Sequence, residues 1–178
     1  MEKVPLGPNT LSLMALLLTI SGALSVLISP SWSILMLVGG VLIAIAGFLD
    51  AIDGEVARAR GLASKKGDFI DHVLDRYCDI IILMGMLTLV DPLYILLAIE
   101  GVLLTSYMGT QAQALGLGRL YAGVMGRADR LVIIIAILVI QFFFPSYPIL
   151  KWGIIAIAIL SNVTAVERAL ATYRKLQD

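Results

Sequence analysis

The chain has 178 residues, of which 60% are hydrophobic and 15% charged, and its mean hydropathy is +0.96. A soluble domain carries about 25% charged residues, so a soluble globular protein is excluded and a single polytopic membrane domain over residues 1–178 is expected. The 13 basic and 13 acidic residues cancel, which leaves no basic footprint for nucleic acid, and the lone Cys78 excludes an internal disulfide or a multi-cysteine metal site.

The N-terminus passes from Glu2 and Lys3 straight into apolar sequence, so no cleavable leader is expected. From Val4 to Leu49 there are 46 residues without a charge. A span takes about 20 residues, and Ser29-Pro30 divides the run. The first span is expected over residues 9–28 and the second over 33–49, continuing as a polar helix to about Arg60. The third covers 69–90 and stops before Asp91-Pro92. The fourth covers 93–115, the fifth 131–144 and the sixth 150–166, with a polar helical extension to the end. Pro30, Pro92, Pro145 and Pro148 all fall at turns. The expected fold class is therefore all-α, with six transmembrane helices.

Basic residues set the orientation. With the N-terminus inside, the cytoplasmic segments hold Lys3, Arg58, Arg60, Lys65, Lys66, Arg119, Arg127, Arg130, Arg168, Arg174 and Lys175, while the external turns hold only Lys151. Both termini are then cytoplasmic in a multi-pass protein of the cell membrane. Trp32 and Trp152 fall at external helix ends, as interfacial anchors do.

The charges are concentrated. Seven of 13 acids and five of 13 bases lie between Asp50 and Asp79. Asp50 and Asp53 end the second span, and Asp71 and Asp75 open the third, so each pair shares one face of its helix. Carboxylates at the mouth of membrane helices are costly unless neutralised. Oxygen-only ligation favours a hard cation, Mg²⁺ or Mn²⁺, over zinc. Four carboxylates suffice for two ions, an arrangement that clamps phosphoryl oxygens during in-line displacement. Gly54 and Gly67 leave room for a phosphate, and the planar guanidinium of Arg58 suits a pair of phosphate oxygens. The site is expected at headgroup depth on the cytoplasmic face, which suits a substrate with an apolar tail and a charged head. An ion transporter is the competing class, but transporters place their coupling sites near the bilayer midplane.

The segment reads Asp50-x-x-Asp53-Gly54-x-x-Ala57-Arg58, eight residues, then Gly67-x-x-x-Asp71-x-x-x-Asp75. Eight fixed residues across 26 positions match the signature of the CDP-alcohol phosphotransferases, which the chain also resembles in its six-helix layout and its early Pro8-Asn9 pair. The resemblance implies a metal-dependent transferase of phospholipid biosynthesis. A CDP-linked lipid donor binds through its pyrophosphate to two divalent ions, Mg²⁺ or Mn²⁺. Asp50, Asp53 and Asp71 are the principal metal ligands. Asp75 contributes to the metal site and acts as general base on the acceptor hydroxyl, whose oxygen attacks the β-phosphorus as CMP leaves. Gly54, Ala57, Arg58 and Gly67 shape the nucleotide pocket. Members of the family are usually homodimers.

Within the family, Asp75-Arg76, Ser106-Tyr107 and Gly126-Arg127-Ala128-Asp129-Arg130 resemble the branch containing archaetidylinositol phosphate and phosphatidylinositol phosphate synthases. That resemblance makes Arg127 and Arg130, one helical turn apart, candidates for the acceptor phosphate, with Arg119 a third. One feature departs from the branch. A basic residue usually follows Ser106-Tyr107, whereas Gly109-Thr110-Gln111-Ala112-Gln113 stands here. Glycerol phosphate or another polyol phosphate stays open beside inositol phosphate, as does a soluble CDP-inositol donor used to make di-inositol phosphate. Arg60, Lys65 and Lys66 read as topology residues, with phosphate attraction the minority reading, and Asp68 and Asp79 as polar-face residues or outer partners of the acid site. Arg76 reads as a structural ion-pair partner. His72 points about 100° away from Asp71 around the helix, and Glu100, inside the fourth span, has no role in this scheme.

Overall fold

A computed structural model describes residues 8–59, 64–118, 120 and 122–176, with the side chains of 8–9 and 54–59 excepted. Six helices and no strand occur among the described residues: α1 (Pro8–Ile28), α2 (Ile34–Ala59), α3 (Lys65–Met84), α4 (Pro92–Ala114), α5 (Arg127–Phe143) and α6 (Ile149–Lys175). The helices α1, α2, α4 and α6 are long and apolar enough to cross a membrane. α3 opens with a dense charged stretch and α5 has 17 residues beginning Arg-Ala-Asp-Arg, so neither matches them in both length and apolar character. The chain divides into two compact units, residues 1–85 and 86–178.

In the first unit α1 is the shared element, packed against both α2 and α3. Glycine makes the close approach to α2 possible. A Cβ on Gly39 would stand 2.7 Å from the Gly22 carbonyl oxygen, and one on Gly22 would stand 3.0 Å from that of Gly39. Small residues of this kind let membrane helices gain van der Waals contact where lipid offers no hydrophobic drive. The end of α3 meets α1 in the same way, because a Cβ on Gly85 would lie 2.7 Å from the Ala23 carbonyl oxygen. Apart from their acid-bearing ends, α2 and α3 pack on α1 rather than along one another among the described residues, unlike a simple antiparallel pair.

In the second unit α6 is shared, packed against α4 and α5. Its contacts are polar as well as apolar. Thr105 Oγ1 donates to the Ser161 carbonyl at 2.8 Å, and Asn162 Nδ2 donates to the Leu97 carbonyl at 3.1 Å.

Two helices start earlier than hydropathy predicts. α3 begins at Lys65 rather than near 69, because Ser64 is its N-cap and accepts from Gly67 N at 3.1 Å. It ends at Met84 rather than 90, and residues 85–90 form turns in which Leu89 N and Val90 N both donate to the Met86 carbonyl. α5 begins at Arg127 rather than 131, with Asp129 Oδ2 accepting from Gly126 N at 2.8 Å.

Candidate active site

The acidic site is built from the end of α2 and the start of α3. Asp50, Asp71 and Asp75 each offer a carboxylate oxygen, and these three atoms lie within 4.8 Å of one another. Asp50 and Asp71 are half-buried, whereas Asp75 is buried at 8% exposure. The local cause is helical spacing. Asp71 and Asp75 stand one turn apart on α3, whose start is fixed by Ser64, and Asp50 lies on the later turns of α2.

Asp53 is not in that trio. It is 4% exposed, and its Oδ2 accepts a hydrogen bond from Ser12 Oγ of α1 at 2.6 Å. Sequence reasoning missed Ser12, which lies 41 residues away. Arg76 pairs with both flanking acids, its Nη2 standing 3.5 Å from Asp75 Oδ2 and 3.5 Å from Asp79 Oδ2. The His72 ring turns toward Asp68, with Nδ1 at 3.7 Å from its carboxylate and 4.0 Å from that of Asp71.

The donor set fits a hard divalent cation. Three carboxylates converging near the end of an apolar helix repel one another, and oxygen donors alone favour a hard divalent cation such as Mg²⁺, Mn²⁺ or Ca²⁺ over zinc.

The nucleotide-pocket candidates are only partly visible. Gly54, Ala57 and Arg58 lie on the last turns of α2, and their side chains are outside the described residues. Gly67 lies in the first turn of α3, where an added Cβ would meet Ser64 Oγ at 3.3 Å.

The arginine candidates belong to the second unit. Arg119 lies outside the described residues. Arg127 is the first residue of α5 and is half-buried, and Arg130, one turn later, is buried at 4% exposure. A buried arginine must be held by several acceptors to be tolerated. Glu100 is exposed on α4.

Arg168 of α6 has a larger part than its place in the sequence suggested. Its Nε donates to the Ala122 carbonyl at 2.7 Å and its Nη1 to the Thr105 carbonyl at 2.9 Å. The same Nη1 lies 3.2 Å from where a Gly109 Cβ would stand. Gly109 is in the stretch where α4 lacks the basic residue of the resembling branch, so a cation from α6 occupies that neighbourhood. No local signal marks such a contact, because its partners lie 46 and 63 residues away.

The model for the CDP-alcohol phosphatidyltransferases matches residues 6–164. Archaetidylinositol phosphate synthase of Pyrococcus horikoshii is 31% identical, over 96% of this chain and 85% of that protein. A crystal structure of Mycobacterium tuberculosis phosphatidylinositol phosphate synthase with manganese and citrate superposes with a TM-score of 0.83 at 25% identity, covering 96% of this chain and 84% of that one. The same enzyme with CDP-DAG bound superposes with a TM-score of 0.81 at 24% identity, covering 96% and 88%.

Proposed function

We propose that this chain, which belongs to the CDP-alcohol phosphatidyltransferase family, transfers the phospholipid moiety of a CDP-linked lipid to a hydroxyl of inositol phosphate and releases CMP. The observation that carries the reading is the convergence of Asp50, Asp71 and Asp75 at the ends of two helices, within the family signature.

Asp50, Asp71 and Asp75 would hold a divalent cation, Mg²⁺ or Mn²⁺, with Asp53 beside them and two ions as the full complement. When bound, the cation neutralises pyrophosphate charge and makes CMP a competent leaving group. Asp75 takes the proton of the acceptor hydroxyl, and its partner Arg76 holds the carboxylate in place. The acceptor oxygen forms a bond to the β-phosphorus, and the bond from that phosphorus to the CMP oxygen breaks. Gly54, Ala57, Arg58 and Gly67 shape the nucleotide pocket. Arg127 and Arg130 bind the acceptor phosphate, with Arg119 as a further candidate. Arg168 brings a cation beside Gly109, near the gap on α4, while its Nε and Nη1 hold the Ala122 and Thr105 carbonyls.

Six spans, cytoplasmic termini and an active site at the cytoplasmic face of the cell membrane complete the proposal, as does a single functional domain over residues 1–178. The distribution of arginine and lysine supports that topology. The functional form is a homodimer. Glu100, exposed in the middle of apolar α4, supports a covered rather than lipid-facing surface there.

The test is a CMP-release screen crossing CDP-diacylglycerol, CDP-archaeol and CDP-inositol with inositol phosphate, glycerol phosphate, serine and inositol. Turnover is expected with a CDP-lipid and inositol phosphate. Turnover with glycerol phosphate alone would overturn the acceptor, and turnover with CDP-inositol alone would overturn the donor.

A further inference from the structure

We propose that Ser12 is a positioning residue for the cation site, its hydroxyl fixing the Asp53 carboxylate in one orientation beside Asp50. The inference rests on the proposed reading of the four aspartates as metal ligands.

The geometry is specific. Ser12 Oγ donates to Asp53 Oδ2 at 2.6 Å, within the range of about 2.5–2.7 Å for a hydroxyl bonded to an ionised carboxylate. Two other α1 serines use their hydroxyls locally, Ser21 donating to the Leu17 carbonyl at 2.9 Å and Ser25 to the Ser21 carbonyl at 2.8 Å. Ser12 reaches across to another helix, and it does so at the candidate ligand outside the converged trio.

The chemistry explains why such a donor matters. The terminal torsion of an aspartate is broad and roughly two-fold, so a directional donor narrows the plane that a buried carboxylate adopts. A hydroxyl is a neutral donor with one proton. It orients the plane without adding a positive charge that would compete with a cation, and an ionised carboxylate keeps further lone pairs for other partners. Outer partners of this kind typically change metal affinity about 10–100-fold when removed. Asp53 is also 4% exposed, so water is a poor substitute for the lost donor.

The experiment measures Mn²⁺ binding to the full-length purified protein without substrate, by titration calorimetry or by the paramagnetic resonance signal of free Mn²⁺. Ser12→Thr and Ser12→Val share a shape and differ in one hydroxyl, which separates the hydrogen bond from the packing of α1 on α2. Ser12→Thr is expected to bind within about threefold of the parent, and Ser12→Val about 10–100-fold more weakly. Asp53→Ala should lose at least as much, and the double variant Ser12→Val/Asp53→Ala should be no weaker than Asp53→Ala alone. Equal affinities for the threonine and valine variants, with Asp53→Ala impaired, would overturn the role of Ser12 and leave the metal reading standing. Parent-like affinity in Asp53→Ala would remove Asp53 from the ligands, and the role of Ser12 would fall with it.

Discussion

In residues 1–85 an apolar helix, α1, carries α2 and α3 on contacts made by Gly22, Gly39 and Gly85, with Ser12 to Asp53 a polar contact from α1 to α2. In residues 86–178 the shared helix, α6, is lined with polar side chains. The side chains of Ser161, Asn162, Thr164 and Arg168 all bond outward from it, Ser161 Oγ and Thr164 Oγ1 to Met125, Asn162 to the Leu97 carbonyl and Arg168 to the Thr105 carbonyl. The difference follows from what each unit must hold. Helices satisfy their own backbone, so α1, α2 and α3 can meet by close packing in the first unit. The second unit must hold irregular backbone, whose donors and acceptors need protein partners. Thr164 Oγ1 accepts from Met125 N at 3.0 Å, and Arg168 Nε donates to the Ala122 carbonyl. Among the described residues, glycine-mediated helix contact is prominent in the unit that bears the four aspartates, and side-chain hydrogen bonds to irregular backbone are prominent in the unit that bears Arg127, Arg130 and Arg168.

The contrast can be broken most sharply at the acids. Asp75→Asn should leave folding intact and reduce CMP release by about 10²–10⁴-fold, the usual worth of a positioned general base. Parent-like turnover in this variant would remove Asp75 from the chemistry. Chelation by EDTA should likewise abolish CMP release, with recovery on adding Mg²⁺ or Mn²⁺, and activity that persists in excess chelator would defeat the cation reading.

The arginine unit should respond differently. Arg127→Ala with Arg130→Ala should raise KM for inositol phosphate by about tenfold or more, since a hydrogen bond to a charged group is worth about 1.5–3 kcal/mol. KM for the CDP-lipid should stay within about twofold, and a donor effect of equal size would refute an acceptor role.

The smallest effects compare two glycines. Gly39→Ala forces a Cβ against the Gly22 carbonyl and should cost about 1–3 kcal/mol of stability by overpacking, read as a lower unfolding midpoint. Gly123 has φ +114 and an added Cβ would collide with Thr164 Cγ2, so Gly123→Ala should cost a similar amount. It should also raise KM for inositol phosphate, because the segment it disturbs leads into Arg127. If Gly39→Ala raised that KM equally, the two units would not be specialised as described.

The sequence made the helices legible because long uncharged runs and prolines at turns are strong signals. Helix ends were less legible. The apolar run from Gly85 to Val90 looks helical by hydropathy, yet α3 stops where Gly85 meets Ala23, a contact made in three dimensions. The starts of α3 and α5 depended on Ser64 and Asp129, single capping residues inside polar stretches. The aspartates were legible because both members of each pair lie one helical turn apart. Ser12 and Arg168 were not, because their partners lie between 41 and 63 residues away and nothing local distinguishes them from other serines and arginines.

The place of α1 between α2 and α3 has a further consequence for engineering. The two acid-bearing helices take their separation from a third helix whose described residues carry no charge. Ala15, Thr19 and Ala23 follow one face of it at four-residue intervals, all buried at 4% exposure or less. Adding or removing a methyl group along that face is expected to shift how α1 seats its neighbours, so the spacing of the acid-bearing helices can be varied at positions that carry none of the acids.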